Sequence, residues 1–131
     1  MVEQIGLAGV DEVRQGVAPR FQEIVVGTIP DSWNLRLEAR RSGCDDPRVS
    51  AVLYDFDAKG VLHEVTYVWS RPAGTSPSPL FKERAAALAR LYRLPEPQSA
   101  SRVEGTSKAS NVVLQDVPDR NVVLEAYGLP R

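Results

Sequence analysis

Trp33-Asn34-Leu35-Arg36-Leu37-Glu38-Ala39-Arg40 is the stretch that decides the fold class. In an extended chain Trp33, Leu35, Leu37 and Ala39 fall on one side, and Asn34, Arg36, Glu38 and Arg40 fall on the other. That period of two is the mark of a half-buried antiparallel strand. The first group is therefore expected in the core and the second in water. Upstream, Phe21 to Ile29 is rich in β-branched residues and stops at Pro30-Asp31-Ser32, which reads as a strand running into a turn.

Downstream, Ser42-Gly43-Cys44-Asp45-Asp46-Pro47 reads as a loop, followed by strands at about 49–57 and 61–70. Asp57-Ala58-Lys59-Gly60 between them suits a type I turn that closes on a glycine with positive φ. An unbroken register from that turn sets Val49 against Trp69, Ala51 against Tyr67, Leu53 against Val65 and Asp55 against His63. One face of the hairpin is then an aromatic and aliphatic wall. The other carries Val52, Tyr54, Phe56, Leu62 and Val68, interrupted by Ser50, Glu64 and Thr66, and is expected to be partly covered.

The one strong helix is expected at 79–94. Ser78 serves as N-cap, Pro79 takes the first helical position, and Phe81, Ala85, Leu88 and Tyr92 form the apolar stripe. A weak helix is expected around 9–17, where Gly9 and Gly16 lower its propensity. The segments at about 71–78 and 95–110 are poor in apolar residues and read as flexible connections. A last hairpin is expected near 112–116 and 121–127. The sum is an α+β fold: a mainly antiparallel sheet of about six strands with the 79–94 helix packed on one face.

The chain has 131 residues, 43% hydrophobic and 25% charged, which is the length and composition of a single globular domain over 1–131 rather than a disordered, collagenous or coiled-coil chain. Its 16 basic and 17 acidic residues nearly cancel, so no overall field draws it to nucleic acid or to an anionic membrane. A single cysteine, Cys44, makes an intramolecular disulfide impossible. The first residues lack the basic and apolar regions of a secretory signal, so the cytoplasm is the expected compartment. Arg outnumbers Lys 13 to 3, a bias that fits a GC-rich bacterial coding sequence.

Candidate chemistry is sparse. Asp55-Phe56-Asp57-Ala58-Lys59-Gly60 has the opening of a calcium loop, but Lys59 stands where an oxygen ligand belongs and Thr66 where the bidentate Glu belongs. Asp55 and His63 make the one arrangement resembling an acid/base pair, with no nucleophile beside it, and are read as a structural cross-strand pair. The Cys44 thiolate is disfavoured by Asp45 and Asp46. Neither a nucleophile elbow, a phosphate loop nor a Cys/His cluster occurs in the sequence, so no cofactor and no metal are expected. Trp33, Tyr67 and Trp69 are of the residue types that anchor protein interfaces or line ligand cavities, and Arg40 and Arg41 add charge beside them.

The leading expectation is a non-enzymatic bacterial protein-binding module, such as an inhibitor, an immunity-type protein or a chaperone-like adaptor. The alternative is a small-ligand-binding protein or small enzyme with a pocket between sheet and helix near Asp55 and His63. A closed polar pocket beside His63 would favour the ligand, and a flat apolar patch the protein partner. The terminal hairpin, marginal alone, also gives a route to homodimers by strand exchange.

Overall fold

The computed structural model describes residues 4–42, 46–94 and 101–130, with Arg41 and Ser42 described by their backbone alone. The elements are α1 (Val10–Val17), β1 (Phe21–Thr28), β2 (Leu35–Ser42), β3 (Val49–Phe56), β4 (Leu62–Ser70), α2 (Pro79–Ala89), β5 (Arg102–Thr106), β6 (Asn111–Val117) and β7 (Val122–Gly128). The strands form one antiparallel sheet in the order β1-β2-β3-β4-β7-β6-β5. The fold is α+β, with seven strands where the sequence led us to expect about six. The additional strand, β5, lies in the segment read as a connection; its alternating Val103 and Gly105 are too few to stand out as an apolar run, yet both are buried, Gly105 beneath the chain that leaves α2. The loop holding Cys44 and the segment 95–100 lie outside the described residues.

The β3–β4 turn forms as its sequence demands. Gly60 has φ 79°, and the Asp57 carboxylate accepts hydrogen bonds from the Lys59 and Val61 amides at 2.9 and 3.0 Å. Those amides hold the Asp57 carboxyl below its usual range, the Val61 bond being the larger cause. The register beyond the turn is not the unbroken one. Phe56 pairs with Leu62 but Asp55 pairs with Glu64, so His63 is an extra residue on β4, and a second shift falls between Val49 and Ala51. These bulges move every residue between them by one position on one strand relative to the other. Val52 therefore sits opposite Tyr67 and Tyr54 opposite Val65, while Leu53 meets Thr66 and Ala51 meets Val68.

One face of the sheet consequently carries Leu37, Val52, Tyr54, Phe56, Leu62, Val65 and Trp69, continued across β7 and β6 by Val123, Val112 and Leu114. Both helices supply residues to this core, Val13 and Val17 from α1 and Leu80, Phe81, Ala85 and Leu88 from α2. Ser78 caps α2 as expected, its hydroxyl accepting from the Phe81 amide at 3.2 Å. The helix ends at Ala89 rather than 94. The chain then leaves the helical path so that Tyr92 and Leu94 cross over Gly105, where a Cβ would stand 2.5 Å from Leu94 Cδ2 and 2.9 Å from Tyr92 Cβ. Only glycine admits that approach.

Two carboxylates lie on this otherwise apolar face. Asp116 accepts from the Ser78 amide at 2.8 Å, from the Ser76 and Ser78 hydroxyls at 2.8 and 3.1 Å, and faces Arg71 Nε at 3.1 Å. Arg71 in turn donates to the Thr75 carbonyl at 2.7 Å. The 71–78 connection is thereby tied to β6. Glu125 takes a two-pronged hydrogen bond from Arg84 of α2 at 2.7 and 3.1 Å, and the Tyr127 hydroxyl also donates to it. The terminal hairpin docks on its own sheet, through β7 on β4.

Removing the Asp116 carboxylate leaves Arg71 with an uncompensated buried charge and Ser78 with an unpaired amide. Asp116→Ala is expected to cost about 3–5 kcal/mol, and Asp116→Asn, which keeps an acceptor, distinctly less. Urea unfolding of the two variants against the wild type measures the difference.

Candidate functional site

Neither helix covers the second face of the sheet among the described residues, and the ladders set its side chains in rows. The first row runs Arg36, Asp55, Glu64, Gly128, Asn111, Thr106. The second runs Glu38, Leu53, Thr66, Ala126, Val113, Glu104, and the third Arg40, Ala51, Val68, Leu124, Gln115, Arg102. The second and third rows thus share a plan, with apolar or small residues in the middle strands and a charge at either end. Antiparallel sheets that leave one face to water usually make that face polar. Here Leu53, Ala51, Val68, Leu124, Ala126 and Val113 stand half-buried, with neither helix over them among the described residues.

The charges at the margin pair locally. Arg36 grips Asp55 through Nε at 2.6 Å and Nη2 at 2.9 Å, which raises the guanidinium's proton affinity further. Arg40 bonds Glu38 and reaches Glu23 at 3.4 Å; Arg102 bonds Glu104 at 2.6 Å. The Arg40 and Arg102 bridges are exposed and add little stability. They do surround the apolar patch with satisfied charges of both signs.

A cavity of about 550 Å³, open on one side, lies where β4 begins and β7 ends. His63, Glu64, Arg93, Glu104, Thr106 and Asn111 supply its polar lining, and Val113 and Ala126 join it to the apolar patch. Burial raises the Glu64 carboxyl above its usual range, and the neighbouring Asp55 charge raises it further. Tyr127 also borders the cavity; its phenol is held by Glu125, and burial followed by the Glu125 charge pushes its ionisation far up. Asp55 is not among the lining residues, and neither a serine nor a cysteine lines this space among the described residues. No cluster of three or more metal-ligating side chains occurs among the described residues.

The candidate residues separate. Asp55 is buried and belongs to Arg36, not to His63, because the bulge carries His63 past it; His63 is exposed at the cavity mouth. Tyr67 and Trp69 lie on the helix-covered face. Tyr67 stacks edge-on with Tyr127 at 5.8 Å, and Trp69 sits beneath the guanidinium of Arg84 at 4.5 Å with Arg48 at 5.5 Å. Trp33 is not in the core. It precedes β2 in the β1–β2 turn, beyond the reach of β3, and is 95% exposed; Leu35 is half out as well, while Leu37 and Ala39 are fully buried as expected. Arg40 is exposed on the uncovered face, and the Arg41 side chain lies outside the described residues.

A pocket near Asp55 and His63 was expected from the sequence; the cavity found is lined by His63 but not by Asp55. The uncovered patch is not legible in the sequence reading. One signal was present: in β7 both alternating sets, Val122-Leu124-Ala126 and Val123-Glu125-Tyr127, are largely apolar, which a strand with one wet face does not need.

Glu64→Gln is expected to raise the melting temperature at neutral pH. A carboxyl whose folded pKa is raised favours the protonated form, so its ionisation weakens the fold as pH rises from the ordinary glutamate range through the folded value, and the gain from Gln should vanish in acid. Thermal unfolding at pH 4 and 7 reads this. Trp33→Ala should change monomer stability by less than about 0.5 kcal/mol, as for other surface positions, measured by denaturant unfolding at low concentration. Comparison with protein-family models, with curated proteins and with solved structures finds no match to this chain.

Proposed function

We propose that this protein is a non-enzymatic protein-binding module that holds its partner on the uncovered sheet face. The supporting observation is the centre of that face: half-buried aliphatic residues across β3, β4, β7 and β6, ringed by charges already paired among themselves. With strands about 4.8 Å apart and alternate residues about 6.8 Å apart, the patch spans a few hundred Å². The partner it suits presents an amphipathic surface, with an apolar stripe for the centre and one projecting side chain for the cavity. Glu64 and Glu104 in the lining favour a hydrogen-bond donor or cationic group there. An inhibitor, an immunity-type protein or a chaperone-like adaptor would each use such a face, and the Arg-rich, Lys-poor composition supports a bacterial source.

A second reading rests on the cavity itself, which is large enough for a small metabolite. Its side opening and its continuity with the patch support the protein partner over that reading.

The test is affinity capture with Leu124→Glu and Val113→Lys as controls, followed by titration of the captured protein with purified components. A charge at the middle of an interface should cost about 2 kcal/mol, roughly thirtyfold in Kd. A partner that binds the wild type and both variants equally would remove the face from consideration. A small molecule that raises the melting temperature in a Glu64-dependent way, with no protein bound, would establish the second reading instead.

A further inference from the structure

The sheet has two edges, and they are built differently. β5 is five residues long, carries the charged Arg102 and Glu104, and receives the Arg93 amide on its Thr106 carbonyl at 3.4 Å. β1 is eight residues long, carries the single charge of Glu23, has neither Pro nor Lys, and no strand among the described residues pairs with its outer side. Natural proteins usually blunt such an edge with a charge, a proline or a bulge. On β1 Val25 is 44% and Val26 37% exposed.

We infer that β1 is a dimerisation edge, pairing antiparallel with β1 of a second copy around a two-fold axis at Val25. The Ile29 amide donates to the Asn34 carbonyl at 2.9 Å, and the β1–β2 register is unbroken from there. Alternation then directs the main-chain groups of Gly27, Val25 and Glu23 toward β2 and those of Gln22, Ile24, Val26 and Thr28 outward. A two-fold axis perpendicular to the sheet keeps each face on its own side, so only registers centred on a residue are allowed. Centring on Val25 sets Gln22 against Thr28 and Ile24 against Val26 of the second copy, so all four outward residues of each strand are used.

The side chains agree with this register. On the helix-covered face Ala39, Ile24, then Val26 and Leu37 of the second copy form one apolar row. On the other face Glu23, already beside Arg40, comes opposite Gly27 of the second copy, which has no side chain and nothing within 4 Å of where a Cβ would be. Across that gap lies Arg36 of the second copy, which adds a cation facing Glu23 from across the dimer. Centring on Glu23 would instead oppose two carboxylates. The dimer also sets the exposed Trp33 turn beside the start of β1 in the second copy.

Light scattering at rising concentration should give twice the monomer mass, and hydrogen exchange should protect the amides of Gln22, Ile24, Val26 and Thr28 only as the dimer fills. Val25→Lys places two cations face to face and should weaken the dimer by about tenfold or more, with circular dichroism unchanged. Val25→Cys in a Cys44→Ser background should oxidise to a disulfide-linked dimer, because opposed residues of a non-hydrogen-bonded pair stand about 4.5 Å apart, within disulfide range. A wild type that stays monomeric at high concentration overturns the inference. So does a dimer that Val25→Lys leaves intact and Val25→Cys does not cross-link. Partner capture through the uncovered face is read separately and stands or falls without it.

Discussion

Asp116 is the point on which the arrangement of helix and sheet turns. It is a carboxylate in the middle of an apolar face, and its two oxygens are shared among the Ser78 amide, two serine hydroxyls and the Arg71 guanidinium. Ser78 is also the N-cap of α2, so the same contact fixes where the helix begins and which strand it begins over. Moving the helix by one turn would strand a buried charge, and that penalty exceeds what a shifted apolar packing could recover. The Arg84–Glu125 pair makes a second such anchor within the helix. Between them they hold α2 over β6 and β7, and the opposite face is left open.

The open face follows from the bulges as much as from the helices. Without the shift at His63, Asp55 would meet the imidazole, and the aliphatic residues of β3 would share a face with Trp69. With it, Leu53 and Ala51 are delivered to the uncovered side beside Thr66 and Val68, and Asp55 is released to Arg36. One inserted residue therefore converts an apparent acid/base pair into a structural ion pair and, at the same stroke, builds the apolar patch. The cavity at the strand ends is bordered by that same inserted histidine.

Much of the fold could be read from the chain. The strand read from the alternation, from Leu37 onward, the Asp57–Gly60 turn, the Ser78-Pro79 helix start and the terminal hairpin all have local chemical causes, and all four are found where that chemistry puts them. What escaped reading was nonlocal. Whether Trp33 is covered depends on how far β3 extends beside it, and whether Val103 belongs to a strand depends on β6. The end of α2 was hidden for the same reason, since Tyr92 continues the helical stripe in sequence but is drawn off by the space above Gly105. The candidate site suffered most, because a bulge leaves no mark in the composition of the strand that carries it.

The strand order has a consequence for how the chain acquires its structure. β1 to β4 follow one another as hairpins, and so do β5 to β7, but the two series meet only through β4 and β7, which are separated by more than fifty residues. Loop closure over that distance makes this ladder the slow, topology-limited step of assembly. A nascent chain emerging from its N-terminus presents the inner edge of β4 uncovered until β7 has been synthesised, so an interior ladder of the finished sheet is an adhesive edge of the growing one.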